Sequence, residues 1–245
     1  MSAWPESRHG GGIVATALAR AEAWLLEPPV PPVTGGAAPA PPPRPVVAVR
    51  GLAPRCGAST VARALAAALA REDPCRSAAV LGADPLAGPR MASPAAARLA
   101  RVLAELGCAE VRPTGRVCLL PADPLPSAIA GERPSPIVID VPSHAPPAEA
   151  LGIADHVLLV GSPLVDRSLA AAVETSLARG GHSVDVVVNR VEDVEAAAAA
   201  EGRGWVAIGE SRLAAQLALA CRDPRGPFAV PVAELADRCR ARAPR

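Results

Sequence analysis

Residues 46–70 read VVAVRGLAPRCGASTVARALAAALA, and this stretch decides the expected fold. Its first four residues form a short apolar run, which predicts a buried strand at 46–49. A bend that contains Gly51 and Gly57 follows, and residues 59–71 then show the alanine-rich pattern of a helix. The stretch therefore predicts a strand that passes through a glycine-bearing loop into a helix.

Strand and helix patterns alternate over the rest of the chain. Further strands are predicted at 78–81, 117–120, 137–139, 156–160 and 184–188, and further helices at 94–106, 166–179, 211–221 and 232–240. Continuous apolar strands are typical of a sheet that is buried on both faces, and strand–helix alternation implies parallel connections. The sequence therefore predicts an α/β fold with a doubly wound, mostly parallel sheet flanked by helices.

The N-terminal part of the chain has a different character. Residues 1–27 are predicted to form a tail and a short helix, with the helical pattern in IVATALARAEAWLLE at 13–27. Residues 28–45 form a proline-rich linker, which cannot join a sheet, and the α/β domain is expected to span 46–245. The tethered helix is expected to dock on the domain or to bind a partner, and the first interpretation is preferred.

Composition excludes several classes of protein. The formal net charge is +1, which is too small for a dedicated nucleic-acid binder, although non-specific DNA binding by a local arginine patch stays open. No transmembrane segment is expected, because the apolar run at 13–27 is short and carries three charges. The basic end of the chain at 230–245 is interpreted as a closing helix, not as a peripheral membrane contact. We expect a cytoplasmic protein with reduced cysteines.

The loop after the first strand has features of a phosphate-binding loop. A helix start presents unpaired N–H groups and a partial positive charge, both of which attract phosphate. The full pattern has a glycine, four further residues and then Gly-Lys-Ser or Gly-Lys-Thr. Gly57 and Ser59 fit this pattern, but Ala58 stands in place of the lysine and Leu52 in place of the first glycine. An ordinary turn with Ser59 or Thr60 as the helix N-cap is an alternative explanation.

Later segments add to this pattern in a specific order. AVLGADPLAG contains Asp84 after the second strand, PIVIDVPSH places Asp140 at a strand end, and VDVVVNR ends with Asn189 and Arg190. Together with the loop, these segments resemble the ParA/MinD superfamily of deviant P-loop ATPases over residues 45–240. The resemblance implies a P-loop NTPase-like domain with ATP and Mg²⁺ as cofactors.

The resemblance also implies roles for individual residues. The residues at the phosphates are Gly57, Ala58, Ser59 and Thr60, and those at the metal are Ser59 and Asp140. The catalytic residues are Asp84 and Asp140. Asn189 reads the nucleotide base, with Arg190 beside it. Three alternatives stay open. The two aspartates could cap turns, Asn189 could hydrogen-bond a loop instead of adenine, and His144 is interpreted as a solvated loop histidine.

The departures from the family concern the charge of the loop. The family has two loop lysines, and Ala53 and Ala58 occupy their positions; its paired glycines are replaced by Pro54 and Arg55. All 25 basic residues of the chain are arginine, so a shift from lysine to arginine would have left a cation at both positions. Arg50, Arg55 or Arg63 could supply charge from the side. We therefore expect hydrolysis to be weak or absent.

Two functions agree with this pattern. The first is a nucleotide-binding switch that acts as a homodimer with a protein partner, in the positioning or partitioning of DNA, septum or surface machinery. The second is a nucleotide-independent scaffold on the same fold, as in pilus or secretion localisation, with the N-terminal helix as the partner-binding element. A small-molecule ligase or kinase is less expected, because such enzymes on this fold need the loop lysine.

Overall fold

The structure, a computed structural model, describes residues 44–82, 91–121, 127–141 and 148–243. The N-terminal tail, helix and most of the linker lie outside this part of the chain, and so do Asp84 and His144. Within it, eight strands form one sheet. The strands are β1 (Val46–Gly51), β2 (Ala78–Leu81), β3 (Arg112–Thr114), β4 (Val117–Leu120), β5 (Ile137–Val141), β6 (His156–Gly161), β7 (Val184–Val191) and β8 (Val206–Gly209).

The strand order is β3-β4-β2-β5-β1-β6-β7-β8. Only the pairing of β3 with β4 is antiparallel, and all other neighbours run parallel. The first strand lies near the middle, with β5 on one side and β6 on the other. The predicted doubly wound, mostly parallel sheet is confirmed, and ligands of such sheets bind beyond the carboxyl ends of the central strands.

Helices cover both faces of the sheet. They are α1 (Ala58–Glu72), α2 (Pro94–Glu105), α3 (Ser127–Glu132), α4 (Ala148–Ile153), α5 (Arg167–Arg179), α6 (Val194–Glu201), α7 (Arg212–Leu219) and α8 (Ala229–Arg242), with a 3₁₀ turn at Gly226–Phe228. None of these helices, in the ranges that the structure describes, is long and apolar enough to cross a membrane.

The first strand shows how the two faces are built. Val47 and Val49 point to the face covered by α1, α7 and α8, whereas Val46 and Ala48 point to the face covered by α2, α3 and α4. This alternation follows from the two-residue period of a strand, and burial on both sides explains the continuous apolar run. The first helix is buried along residues 61–70, because small alanine side chains allow close packing on the sheet and on its neighbouring helices.

Two strands extend further than the apolar runs predict. Strand β5 continues to Val141 and β7 continues to Val191, so Asp140 and Asn189 lie inside the strands and not after them. The apolar run in each case ends where the side chains become polar, but the backbone ladder continues. The predicted positions of these residues at the carboxyl edge of the sheet remain correct, while the predicted strand ends are too early.

The C-terminal helix α8 carries paired arginines. Its three arginines contact carboxylates as follows: Arg238 with Asp185 and Glu234, Arg240 with Glu72 and Asp237, and Arg242 with Asp185. These contacts join the helix to β7 and to α1. Because the charges are paired within the domain, the interpretation of this segment as a closing helix agrees with the structure.

Candidate functional site

The phosphate-loop helix begins without a side-chain cap. Gly57 is the N-cap of α1, with φ 91° and ψ 19°, and it has no side chain that could accept a hydrogen bond from the first turn. The alternative with Ser59 or Thr60 as N-cap is therefore wrong, since the helix already begins at Ala58. Four other helices have a side-chain cap, formed by Ser93 in α2, Asp166 in α5, Asp193 in α6 and Ser211 in α7.

Ser59 and Asp140 lie together at the floor of the crevice. Asp140 is only 7% exposed, and Ser59 lies close enough to its carboxyl to lower the pKa. Burial raises the pKa of Asp140 above its usual value, while Ser59 and the charge of Arg63 partly offset this effect. The sheet thus brings together two residues that are 81 positions apart in the sequence.

Arg63 lies beneath this pair. It is 5% exposed, and its Nη1 donates a 2.9 Å hydrogen bond to the carbonyl oxygen of Leu219 at the end of α7. The guanidinium is also close enough to Asp140 to favour the ionised carboxylate. Arg63 is therefore part of the buried support of the site and is not a group on the open surface of the loop.

An open cleft of about 390 Å³ lies above the loop, a size that is typical of small-molecule sites. Its lining residues are Gly51, Ala53, Pro54, Arg55, Cys56, Gly57, Ala58, Ser59, Asp140, Val141 and Arg190. Of the three arginines considered as substitutes for the loop lysines, Arg55 is the one that lines this cleft. Arg50 lies instead beside a separate apolar groove.

Asn189 contacts the phosphate loop directly. Its Nδ2 donates a 2.9 Å hydrogen bond to the carbonyl oxygen of Cys56, and the residue is 3% exposed. Its Oδ1 is buried and has no hydrogen-bond partner among the residues that the structure describes. The alternative in which Asn189 bonds a loop agrees with this contact, and its role at the adenine base stays a prediction.

A second cleft of about 310 Å³ adjoins the first. It is lined by Thr60, Asn189, Arg190, Gly209, Glu210, Ser211, Arg212, Ala215 and Phe228. Arg190 is common to both clefts. Sequence reasoning did not identify the wall formed by residues 209–212, because β8 is only four residues long and its neighbouring turn has no recognisable spacing.

Metal binding at this site would depend on few protein ligands. No group of three or more His, Cys, Asp or Glu side chains within the described ranges could hold a metal ion. Ser59 and Asp140 nevertheless offer oxygen ligands, and Mg²⁺ in phosphate sites commonly takes one or two protein ligands with the remainder from phosphate and water. The residues present therefore fit Mg²⁺ that arrives with a phosphate ligand.

Comparison with known proteins gives matches only among solved structures. No family model matches the chain, and no curated protein matches it. The ParA family ATPase from Chlorobium tepidum has 16% identity and a TM-score of 0.51, over 79% of this chain and 98% of that chain. A plasmid partition protein from Borrelia burgdorferi bound to AMPPNP has 12% identity and a TM-score of 0.53, over 80% and 98%.

A chain of the MinC:MinD cell division protein complex from Aquifex aeolicus is also similar, with 16% identity and a TM-score of 0.54. The match covers 82% of this chain and 97% of that one. At such identities a structural likeness establishes the fold and does not transfer an activity. The sheet order, the loop that leads into α1 and these matches agree, so the chain has the fold of the ParA/MinD-type P-loop ATPases.

Proposed function

We propose that this protein is a nucleotide-binding switch that takes ATP with Mg²⁺ and hydrolyses it slowly or not at all, in the positioning or partitioning of cellular machinery. The observation that carries the proposal is the uncapped start of α1, which opens on a cleft beside the Ser59–Asp140 pair. Free N–H groups at a helix start bind phosphate. In the described part of the chain, α2, α5, α6 and α7 have a side-chain cap, whereas α1 and α8 do not. No N-cap side chain therefore occupies the N–H donors at the start of α1, and they are available to a ligand.

The two adjoining clefts suggest how a nucleotide would lie. The polyphosphate would occupy the cleft over Gly57–Ser59, where backbone N–H groups replace part of its hydration. Ser59 and Asp140 would hold Mg²⁺, whose charge compensates both the phosphates and the buried carboxylate. The base would extend past Arg190, which is common to both clefts, into the second cleft beside Asn189. This arrangement gives a part in one ligand to six of the predicted site residues: Gly57, Ala58, Ser59, Asp140, Asn189 and Arg190.

Slow hydrolysis follows from the charge of the loop. Ala53 and Ala58 provide no cation at the two positions where the family has lysine. The loss of one group that stabilises transition-state charge typically lowers the rate by ~100- to 1000-fold. Mg²⁺ and backbone amides can support binding without these lysines, but they leave less charge on the transferring group. Such a protein would change state when the nucleotide binds or dissociates, and not when the nucleotide is hydrolysed.

Isothermal titration of the full chain with ATP and Mg²⁺ tests the proposal, together with the molecular mass in solution with and without nucleotide. We expect saturable binding, a nucleotide-dependent shift towards a homodimer, and little or no release of phosphate. Titration with ATP in EDTA is the control for the metal. Absence of binding at millimolar ATP would reject the proposed switch.

A nucleotide-independent scaffold is the second candidate, and an apolar groove beside the loop favours it. The groove has a volume of about 510 Å³ and is lined mainly by apolar side chains, among them Leu52, Pro54, Leu151, Leu169 and Val173. A surface of this kind is typical of protein–protein contacts. If the protein is such a scaffold, partner capture would not change with ATP. Loss of capture on deletion of residues 1–44 would assign the contact to the N-terminal helix, and capture that persists would assign it to the groove. Loss of capture in the absence of ATP would favour the switch instead.

DNA is a further candidate partner, and the charge of the domain bears on it. The net charge of +1 provides little long-range attraction, and the arginines of α8 are paired with carboxylates. We infer that any DNA binding is weak, non-specific and sensitive to salt. A fluorescence anisotropy titration with a random duplex at two salt concentrations measures this directly.

A further inference from the structure

Two arginines of the phosphate-loop cleft have an unusual backbone conformation. Arg55 has φ 62° and Arg190 has φ 63°, both in the left-handed region that disfavours side chains other than glycine. The described residues include six such positions without glycine: Arg55, Arg76, Glu110, Arg133, Arg190 and Cys221. Arg55 and Arg190 are the two of these that line the cleft over the loop.

The local structure explains how each side chain reaches the cleft. Arg55 lies in the bend between β1 and Gly57. Arg190 lies at an irregularity of the β7–β8 pairing, where the register shifts between Asn189 and Val191. Such bulges redirect a side chain next to functional sites. Both arginines are therefore placed at the cleft by strained backbone that a glycine would adopt more easily.

Both guanidinium groups are exposed and available to a ligand. Within the described ranges, neither Arg55 nor Arg190 forms an ion pair with a carboxylate. Several arginines elsewhere on the domain do form such pairs, among them Arg44, Arg133, Arg238, Arg240 and Arg242. A cation beside an uncapped helix start can accept an anion without first breaking a salt bridge.

A second, independent observation points to a ligand at the same place. The Oδ1 atom of Asn189 is buried without a hydrogen-bond partner in the described part of the chain, next to Arg190 in the adjoining cleft. An unpaired buried acceptor costs free energy unless a donor is supplied. A ligand that spans both clefts could bring the phosphates to the arginines and a donor towards Asn189.

We propose that Arg55 and Arg190 form a pair of guanidinium groups that binds the polyphosphate of the ligand in place of the absent loop lysines. Guanidinium forms two parallel hydrogen bonds with phosphate and keeps its charge at all physiological pH values. The positive charge then comes from the rim of the cleft, and Ser59 and Asp140 would provide the oxygen ligands for a Mg²⁺ ion that arrives with the phosphates. This inference rests on the proposed function, because it names the residues that supply positive charge for nucleotide binding at that site.

The variants Arg55→Gly, Arg190→Gly and the double variant test this pairing. Isothermal titration of the full chain uses two probes, ATP with Mg²⁺ and inorganic triphosphate with Mg²⁺. We expect each single variant to bind either probe about 10-fold more weakly and the double variant about 100-fold more weakly, since each removes one charge-assisted contact. The melting temperature should stay equal or rise, because glycine adopts a positive φ without strain.

Arg76→Gly is the matched control. Arg76 is also an exposed arginine with a positive φ, 55°, but it lies between α1 and β2 and lines neither cleft. This variant should gain stability to a similar extent and should bind both probes as the original protein does. Arg55→Lys and Arg190→Lys should show intermediate affinities, because lysine keeps the charge but cannot form the two parallel hydrogen bonds.

The two probes separate this inference from the proposed function. Tight ATP binding that the double variant retains would overturn the arginine pair and leave the nucleotide switch in place. Arginine-dependent binding of triphosphate without any binding of ATP would overturn the switch and support the pair. If neither probe binds the original protein, both proposals are wrong.

Discussion

Asn189 and Cys56 are joined by a 2.9 Å hydrogen bond from the side-chain amide of the first to the backbone carbonyl of the second. The bond connects β7 to the phosphate loop across 133 positions of sequence. It is possible only because Gly57, the next residue, has no side chain: a Cβ atom at this position would lie 2.1 Å from Nδ2 of Asn189. The shape of the loop and the position of β7 are therefore linked through one glycine.

Replacement of Gly57 by alanine should destabilise the domain by about 2–3 kcal/mol. A positive φ costs an alanine about 1 kcal/mol, and displacement of the Asn189 amide removes a buried hydrogen bond worth about 1 kcal/mol or more. The free energy of unfolding in urea measures this effect. Gly107→Ala is the control, because Gly107 has nearly the same φ, 92°, with nothing within 4 Å of the added Cβ. Equal losses in the two variants would contradict the importance of the Asn189 contact.

Replacement of Asp140 by asparagine should raise stability and weaken ligand binding. Burial raises the pKa of this carboxyl, so the ionised form is unfavourable in the folded protein and a neutral amide of the same shape avoids that cost. The gain should be largest near neutral pH and should disappear in acid, where the original carboxyl is itself protonated. Parallel measurements of unfolding in urea and of binding of ATP with Mg²⁺ check both effects. A loss of stability at pH 7 would mean that the carboxylate is held by stronger contacts than those described.

The sequence predicts the long elements of this fold well, for a physical reason. A long strand or helix repeats its pattern of apolar and polar residues several times, which makes the pattern easy to recognise. The helix predicted at 59–71 and found at Ala58–Glu72 is an example. The short elements β3, β8 and α3 provide no such repetition. Apolar runs also report burial and not hydrogen bonding, which explains why the ends of β5 and β7 were predicted too early.

The candidate site was predictable in its composition and not in its contacts. The order of Gly57, Ser59 and Asp140 along a parallel sheet is enough to place them at one edge, since the carboxyl ends of parallel strands meet there. By contrast, the direction of the Asn189 amide depends on the missing side chain of Gly57, and the exposure of Arg190 depends on a register shift. Neither property is encoded in the local pattern.

The ion pairs of Asp185 should make stability depend on pH. Burial alone would raise the pKa of Asp185, but the His156 hydrogen bond and the charges of Arg242 and Arg238 outweigh it and lower the pKa. A lowered pKa in the folded state adds stability above the ordinary pKa of aspartate, and this stability is lost as the pH falls through the folded pKa. Asp185→Asn should therefore cost about 2 kcal/mol at pH 7, less than for a fully buried pair because the arginines are partly exposed.

Urea unfolding of the original protein and of Asp185→Asn between pH 7 and pH 3 measures this difference, which should shrink as the pH falls. Asp223→Asn is the control, since Asp223 pairs with Arg116 on the surface with both side chains substantially exposed. Such a pair contributes about 0–1 kcal/mol. A difference for Asp185→Asn that stays constant down to pH 3 would show that its origin is packing and not charge.

Restoration of a loop lysine by Ala58→Lys should strengthen nucleotide binding. Ala58 is the first residue of α1 and lines the cleft, so an ammonium group there would reach a phosphate bound at the helix start. We expect ATP with Mg²⁺ to bind about 10-fold more tightly and hydrolysis to rise by ~100-fold. Without ligand, the cation beside the positive end of the helix should cost about 0.5 kcal/mol of stability. Ala58→Met, with a side chain of similar length and no charge, is the control. If the lysine and methionine variants bind ATP equally, the phosphates do not lie over the start of α1, and the nucleotide site is elsewhere on the domain.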